Sequence, residues 1–447
     1  MISKDIAEAV LQEAKRKGAT EADLVLVENE LVTVQVRLGE VETIRSAREV
    51  GLGLRLFFGK RSATSSTSDL SKGSLARLVE DTSVLAKVTA HDEFSGLPSA
   101  EECARIFPEL HLYDPDGEAL PVKERIARAK EAEAAALAYD PRITNSEGAD
   151  FSSNLYRIIY GSSHGFLGEY RGSTFSLAVT PIALFNGAMQ RDYWYSYARN
   201  LSKLESPEAI GRRAAERTIR RLGGKKIRTQ EVPVVFDPET AASLMQVLCS
   251  AVSGPSLYRG ASFLIDRLGD RIAPEIVSVY DDGTIPGYLG SKPFDGEGLP
   301  TRRNAVLENG VLRSYLLDTY SARKLKLAPT GNAARGVGDV PTVGPTNFFL
   351  QPGPHDPAEI IRSVESGLYV TELIGPGVNL VTGDYSRGAV GFWIEKGELA
   401  YPVEEITVAG NLKEMLLGIE MVGNDLTFRN SVVAPTLKIR RMTIAGH

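Results

Sequence analysis

The chain has 447 residues, of which 43% are hydrophobic and 24% are charged, and its net charge is −6. This length exceeds one ordinary hydrophobic core and predicts two or three domains, while the acidic balance disfavours a general nucleic-acid binder. The two cysteines argue against a disulfide framework and fit a reducing cytoplasm. The sequence contains no run of about 18 apolar residues, so no membrane span is predicted.

The first elements along the chain are a helix and a set of strands. Ser3 is placed to cap a helix that runs to about Lys17. This segment has acids and no apolar core run, so it is neither a signal nor a transit peptide. Alternating apolar residues then predict strands, and a second helix is expected from about Ser74 to Lys87.

This unit recurs farther along the chain. Strands are predicted again after residue 154, and Asn200-Leu-Ser-Lys203 repeats the pattern of Asp69-Leu-Ser-Lys72. A capped helix follows each tetrapeptide, the second with Ser206 as its cap. The shared order of hairpin, strand, tetrapeptide and helix predicts a duplicated α+β unit.

A basic stretch ends this half of the chain. It comprises Arg212, Arg213, Arg217, Arg220, Arg221, Lys225 and Lys226. We interpret it as a solvated helix face running into a linker rather than a nucleic-acid surface. The segment from Gly223 to Glu231 marks the domain junction, which predicts an N-terminal domain over 1–225 and a C-terminal domain over 226–447.

The C-terminal half is rich in glycine and turn signals. Asn309-Gly310 and Lys396-Gly397 each separate two alternating apolar runs, the pattern of a tight hairpin. The sequence therefore predicts an α+β protein. Its second domain is expected to be a mainly antiparallel, barrel-like β-sheet with few helices.

One helix of this half is the natural place for a catalytic group. Residues 238–254 read PETAASLMQVLCSAVSG and follow a predicted strand at 233–236. This helix has no histidine, and its one acid, Glu239, lies in the first turn. The five histidines of the chain form no metal-ligand motif.

Several polar, glycine-flanked runs remain as candidate sites. Asp281, Asp282, Asp295 and Glu297 could hold a hard cation such as calcium or magnesium, or they could build turns through bonds to their own backbone. Ser321-Ala-Arg-Lys324 has the spacing of serine acyl enzymes but lacks that family's partner motifs. The candidate peptide-groove or loop residues are Asp281, Asp282, Asp295, Glu297, Thr382, Gly383, Asp384, Gly410 and Asn411.

The glycine-rich runs at 281–325, 330–336 and 382–426 resemble the TldD/PmbA family, in its PmbA (TldE) branch. The resemblance implies a two-domain α+β fold and dimers with a closed cavity near the protomer interface. In the TldD branch the helix after the strand carries His-Glu-x-x-x-His, and a C-terminal cysteine completes a zinc site. Those enzymes act on unfolded or small peptides, and the two branches are expected to form a heterodimer.

Placed on that pattern, the metal-binding positions fall near Gln246, Val247 and Ala251, and the segment from Asn430 to Arg440 has no cysteine. The resemblance therefore implies no catalytic residue, metal or cofactor in this chain, with zinc supplied by a TldD-like partner. The leading hypothesis is a non-catalytic subunit that helps to hold unfolded peptide, and the sequence leaves open whether the chain forms a homodimer when alone.

Two alternatives stay open at this point. The first is an independent metal-dependent peptidase or hydrolase that uses the acidic cluster of Asp281, Asp282, Asp295 and Glu297. The second is a non-enzymatic regulator that binds a folded partner or nucleic acid, because names in the family refer to modulation of DNA gyrase. The composition favours neither of them.

Overall fold

The computed structural model describes residues 2–446. Its first half consists of a curled sheet with helices on one side. The elements are α1 Lys4–Arg16, β1 Glu21–Arg37, β2 Glu40–Phe58, β3 Arg61–Thr67, α2 Lys72–Val88, α3 Pro115–Glu118, α4 Val122–Leu137, β4 Ile143–Ser162, β5 Leu167–Phe185, β6 Ala188–Arg191, β7 Trp194–Ala198, a 3₁₀ turn Leu201–Lys203 and α5 Pro207–Arg220.

The predicted duplication is confirmed by the order of these elements. Each copy begins with a helix (α1 or α4), continues with a long hairpin and a further edge strand, and ends with a helix (α2 or α5). Ser71 and Ser206 cap the closing helices through their side chains. The two copies meet where β1 pairs antiparallel with β4, in a sheet of order β3-β2-β1-β4-β5 with β6 and β7 both on β5.

Side-chain alternation gives this sheet two different faces. On the outer face, Leu24 and Leu26 pack with α1 and α2, whereas Phe151 and Phe175 pack with α4 and α5. The opposite, inner face carries small polar residues such as Asn154 in its middle. The helices therefore cover one face and leave the other for the second half of the chain.

The second half contains most of the short elements. They are β8 Gln230–Phe236, α6 Pro238–Ala251, α7 Gly254–Tyr258, β9 Val279–Asp282, β10 Arg303–Glu308, β11 Val311–Leu312, α8 Thr319–Leu325, β12 Ala333–Ala334, β13 Thr342–Val343, β14 Phe348–Leu350, α9 Pro357–Arg362, β15 Ser366–Ile374, β16 Asp384–Glu395, β17 Glu398–Asn411, α10 Leu412–Leu417, β18 Ile419–Val422, β19 Val432–Val433 and β20 Leu437–Ala445. Across residues 2–446 no helix is long and apolar enough to cross a membrane.

Five of these strands close into a barrel. They run β17-β16-β15-β8-β20, and β20 pairs back with β17. The barrel-like prediction is confirmed, with β8–β15 as a parallel pair among otherwise antiparallel ones. Both predicted hairpin turns are present. Asn309 and Gly310 have φ of 48° and 77°, and Lys396 and Gly397 have 51° and 79°, as a tight turn with two left-handed residues requires.

A buried cluster of charges joins the two halves. Arg55 Nη2 lies 2.6 Å from Asp23 Oδ2 and 3.5 Å from Glu297 Oε1, and Arg335 Nη1 lies 2.8 Å from Asp23 Oδ1. Tyr160 Oη also donates to Asp23 Oδ2, at 3.0 Å. Asp23, Arg55 and Tyr160 belong to the inner face of the sheet and the other two to the C-terminal half, so the cluster orients one half against the other.

The basic stretch is a second contact between the halves, and its interpretation as a solvated face was wrong for its central arginines. Arg217 Nε lies 3.3 Å from Asp192 Oδ2, and Nη1 lies 3.8 Å from Asp237 Oδ2. Arg221 Nη1 lies 2.7 Å from Glu372 Oε2. Both arginine side chains are about nine-tenths buried. Sequence periodicity showed the charged helix face but not the acids from distant elements that cover it.

Asp23→Asn is expected to lower the free energy of unfolding by about 3–5 kcal/mol, because it leaves two arginines buried without their carboxylate. Chemical denaturation at neutral pH measures this loss. Asp140→Asn is the matched control, since Asp140 pairs with Arg142 at the surface and exposed pairs contribute little. Equal losses in the two variants would contradict a special role for the buried cluster.

Candidate functional site

Helix α6 is fixed by its cap and by its apolar side. Asp237 caps the first turn, with Thr240 N donating to Oδ1 at 2.9 Å, and Pro238 occupies the first position. Leu244, Leu248 and Cys249 are buried in the core of the C-terminal half. The helix therefore forms without any help from a metal. Burial raises the pKa of Asp237 to about 6, despite the opposing effect of its hydrogen bonds to Thr240 and of Arg217.

The other side of α6 borders a cavity of about 270 Å³. The cavity is lined by Tyr195, Pro238, Glu239, Ala242, Ser243, Gln246, Thr427, Arg429, Asn430, Val432, Val433 and Ala434. The helix thus faces both the C-terminal segment and a strand of the N-terminal sheet. The two segments from which the resemblance expects metal ligands do meet at one cavity.

This cavity does not suit zinc. Of the three positions that the resemblance places near the His-Glu-x-x-x-His motif, Gln246 lines the cavity, Val247 packs half-buried against the core, and Ala251 is fully buried. The cavity offers hydroxyls, amides, one arginine and a single carboxylate, whereas zinc sites use histidine and cysteine with acids. Throughout residues 2–446 no group of three or more His, Cys, Asp or Glu side chains is placed to hold a metal ion.

The one carboxylate in the cavity is already hydrogen-bonded. Tyr195 Oη donates to Glu239 Oε2 at 3.1 Å, which ties the N-terminal sheet to α6. Burial, with Glu239 as the next cause, raises the pKa of Tyr195. Tyr195 therefore keeps its proton at physiological pH and acts as a hydrogen-bond donor rather than as a base.

A second, larger cleft of about 520 Å³ continues from Tyr195 across the inner face of the sheet. Its lining is Asn29, Leu31, Ser152, Asn154, Thr174, Ser176, Ala178, Tyr193, Tyr195 and Tyr197, and none of these residues is charged. We call this set the cleft floor. Strand pairing places Leu31 beside Asn154, Asn154 beside Thr174, and Ser176 beside Tyr197, so the floor runs across four strands.

The cleft floor was not predicted from the sequence. A signal for it does exist, because small polar residues alternate with large apolar ones along two paired strands. Ser152 and Asn154 flank the buried position 153 and follow Phe151, and Thr174 and Ser176 flank Phe175. Such alternation indicates a half-buried strand, but it does not show that the polar side lines a cleft.

The candidate acids in the C-terminal half are structural. Asp281 is fully buried and accepts hydrogen bonds from Asn332 Nδ2 at 2.6 Å, Thr346 N at 2.7 Å and Thr346 Oγ1 at 2.8 Å. Burial raises its pKa although these bonds oppose the shift. Its carboxylate is satisfied by the protein and is not open to a cation.

The other three acids likewise accept hydrogen bonds from the protein, and for Glu297 the donors lie outside its own loop. Asp282 Oδ1 accepts from Thr284 N at 2.9 Å, and Asp295 Oδ1 accepts from Glu297 N at 2.9 Å. Glu297 Oε2 accepts from Thr319 N at 2.8 Å. These contacts favour the turn-building interpretation over a cation site.

The remaining candidate residues do come together, at one end of the β16–β17 hairpin. Thr382 Oγ1 donates to Asp384 Oδ2 at 2.6 Å, and Asn411 Nδ2 donates to Thr382 O at 3.2 Å. Gly383 holds φ +87° beneath the Asn411 side chain, and Gly410 pairs across the hairpin with residue 385. The group is a surface turn network, and it is not among the residues that line the cavity or the cleft floor.

The fold and this site define a class of proteins: a duplicated, curled antiparallel sheet set against a five-stranded barrel, with a helix and a cavity between them. Three family models match this chain. They are PmbA/TldA metallopeptidase domain 1 over 22–102, the central domain over 115–222 and the C-terminal domain over 229–446. The chain belongs to the PmbA/TldD metallopeptidase family.

Individual relatives agree with this assignment. Metalloprotease PmbA of Escherichia coli O157:H7 is 40% identical over 93% of this chain and 90% of that protein. The PmbA homologue of Haemophilus influenzae is 36% identical over 97% and 94%. A Bacteroides thetaiotaomicron structure described as a modulator of DNA gyrase has TM-score 0.93 at 29% identity, with both chains fully covered. TldE of Thermococcus kodakarensis shares the fold, with TM-score 0.89 at 22% identity over 99% of this chain and all of that one.

The raised pKa of Glu297 predicts that the stability of the fold depends on pH. Burial raises its pKa to about 7, although Arg55 opposes the shift, against about 4.3 in an unfolded chain. Between these values the unfolded state has lost the proton that the folded state retains, so stability falls as pH rises, by on the order of 3 kcal/mol at pH 8. Glu297→Gln is expected to remove this fall. Denaturation of both proteins from pH 4.5 to pH 8 checks it, and parallel curves would contradict the assignment.

Proposed function

We propose that this chain is a PmbA/TldE-type, non-catalytic subunit of a zinc metallopeptidase that cleaves unfolded or small peptides. A TldD-like partner supplies the zinc and the general base in the resulting heterodimer. The observation that carries the proposal is the cavity beside α6, whose polar lining of Tyr195, Glu239 and Gln246 lacks a zinc ligand set. This chain keeps the helix and the space around it but not the metal chemistry.

The cleft floor supports a role in holding peptide. Its amide, hydroxyl and phenol groups can hydrogen-bond to a peptide backbone, and its lack of charge selects neither acidic nor basic side chains. Tyr, Ser and Asn are the residues that adaptable binding surfaces use. The floor therefore suits extended chains of varied sequence, the form in which unfolded peptides present their main-chain groups.

We place the subunit in the cytoplasm. Cys103 and Cys249 are both free and buried, and burial raises the pKa of Cys103 to about 11, so this thiol stays protonated. A fold that needs no disulfide suits a reducing compartment.

The two alternatives gain no support from the described residues. A hydrolase built on the four acids needs carboxylates that converge on a cation, and Asp281 is instead saturated by Asn332 and Thr346. A nucleic-acid regulator needs accessible cations, and Arg217 and Arg221 are covered by acids. The acidic net charge of −6 adds no long-range attraction to phosphate.

Metal analysis tests the absence of zinc chemistry in this subunit. The purified chain is expected to hold well below one zinc per molecule after dialysis, and chelator is expected to leave its melting temperature unchanged, because α6 is held by its cap and core contacts. The complex with a TldD-like protein serves as the positive control. Stoichiometric zinc in this chain alone would overturn the proposal.

Co-expression with a TldD-like protein tests the subunit role. The pair is expected to co-purify and to digest unfolded peptide, whereas this chain alone is inactive. Ser152→Trp fills the cleft floor and should raise KM for extended peptides at least severalfold without preventing association. Glu131→Trp, on an exposed position of α4, is the matched control. If the partner digests peptide equally well alone and does not bind this chain, the proposal fails.

A further inference from the structure

Two opposite charges line the cavity beside α6, the carboxylate of Glu239 and the guanidinium of Arg429. Within residues 2–446 they form no ion pair with each other, because Arg429 lies instead 3.5 Å from Glu205 Oε1. That distance is longer than an N–H···O hydrogen bond. Glu239 accepts a hydrogen bond from the Tyr195 hydroxyl at Oε2, which leaves Oε1 for another donor. Both charges therefore keep hydrogen-bonding capacity for a ligand.

The two charges lie close to the same tyrosine. Tyr195 Oη is 3.1 Å from Glu239 Oε2. Arg429 Cζ lies 4.4 Å from the centroid of the Trp194 ring, and the ring centroids of Trp194 and Tyr195 are 6.4 Å apart. Both charges also act on the pKa of Tyr195, which burial raises, Glu239 raises further and Arg429 lowers. A ligand that contacts both groups therefore carries its own two charges close together.

We propose that this cavity binds a free α-amino acid with a neutral side chain. The α-ammonium group donates to Glu239 Oε1 and to the Tyr195 hydroxyl oxygen, and the α-carboxylate accepts from the Arg429 guanidinium. Such charge-assisted hydrogen bonds are the stronger ones in proteins. Ser431 N donates to Asn430 Oδ1 at 2.8 Å, so the Asn430 amide is oriented and its Nδ2 group is a second donor for the carboxylate.

The short distance between the two charges favours a single amino acid over a longer peptide. In a free amino acid the ammonium and the carboxylate are attached to one carbon atom. In an extended peptide the two termini move apart by about 3.3–3.6 Å for each added residue. A cavity of about 270 Å³ is also smaller than the pockets of about 300–1,000 Å³ that hold drug-sized ligands.

The rest of the lining is neutral and defines the side chain. Glu239, Ala242 and Gln246 recur on one side of α6, and Gln246 lies about 10 Å farther along the helix than Glu239. Val432 and Val433 line the same cavity. A charged side chain would be desolvated there without a partner. A neutral side chain of medium length, such as that of glutamine or methionine, contacts the apolar wall and extends toward the Gln246 amide.

The binding goes beyond the proposed function, because it needs only this chain and involves neither zinc nor a TldD-like partner. The ligand class nevertheless agrees with that function, since free amino acids are the end products of peptide hydrolysis. The cavity then has a chemistry of its own, in which one acid and one arginine recognise the two charges of a small zwitterion.

Calorimetric titration of the purified chain with L-glutamine, L-methionine and L-leucine tests the binding. At least one of the three is expected to bind with a Kd of about 1 mM or tighter. Its N-acetyl derivative lacks the ammonium group and its α-amide lacks the carboxylate, so each is expected to bind about tenfold more weakly or worse. The inference is overturned if none of the three amino acids binds, or if the blocked derivatives bind equally well.

Glu239→Gln and Arg429→Gln test the same contacts from the side of the protein. Each variant removes one charge and keeps a polar side chain, and each is expected to weaken binding of that amino acid about tenfold. Glu13→Gln and Arg16→Gln are the matched controls, because these two residues pair with each other on α1 and do not line the cavity. Their affinity is expected to equal that of the unaltered chain.

Thermal melting of each variant checks that its fold is retained, and the blocked derivatives probe both contacts in the unaltered chain. Unchanged affinity in Glu239→Gln and Arg429→Gln contradicts the inference. No partner or peptide is present in these titrations, so their failure leaves the subunit role untouched. Failure of the chain to associate with a TldD-like protein likewise leaves the amino-acid site untouched.

Discussion

The buried charge cluster between the two halves is the constraint on which the rest of the structure depends. Burial would raise the pKa of Asp23, but Arg335 and Arg55 outweigh that effect and keep the pKa lowered. Asp23 is therefore ionised where no water reaches it. Removing such charges from water is costly, and their mutual attraction repays the cost only in one geometry. The cluster accordingly specifies how the barrel half sits on the sheet more than it adds net stability.

That fixed orientation also shapes the cavity beside α6, which residues of both halves line. The cluster holds one end of the inner face against the C-terminal half, and Tyr195 with Glu239 holds the other. Arg199 adds a third tie, because its guanidinium donates to the backbone oxygens of Tyr288 and Leu289 at 2.7 and 2.6 Å. The cavity beside α6 lies at one of these ties, where Tyr195 of the N-terminal sheet meets Glu239 of the C-terminal half.

Local signals predicted the helices with capping residues, the two hairpins and the repeated unit, because each depends on neighbours in the chain. The errors concern partners that are distant in sequence. Arg221 was interpreted as solvated because no nearby residue indicates that Glu372 covers it. For Asp281 two interpretations stayed open, because its donors, Asn332 and Thr346, lie on later loops. Burial of a charge is decided by tertiary contacts, so a pattern that shows a charged face cannot show what covers it.

Helix α6 is held in place by its own cap and by its core contacts. In domains that depend on a structural metal, loss of the ligands unfolds the chain. Here Leu244, Leu248 and Cys249 anchor one side of the helix and Asp237 caps its start, so the opposite side is free to carry Ser243 and Gln246. The packing of helix α6 therefore does not require histidine at the positions that face the cavity. The shape and the hydrogen-bonding groups of the cavity therefore rest on the fold of this chain.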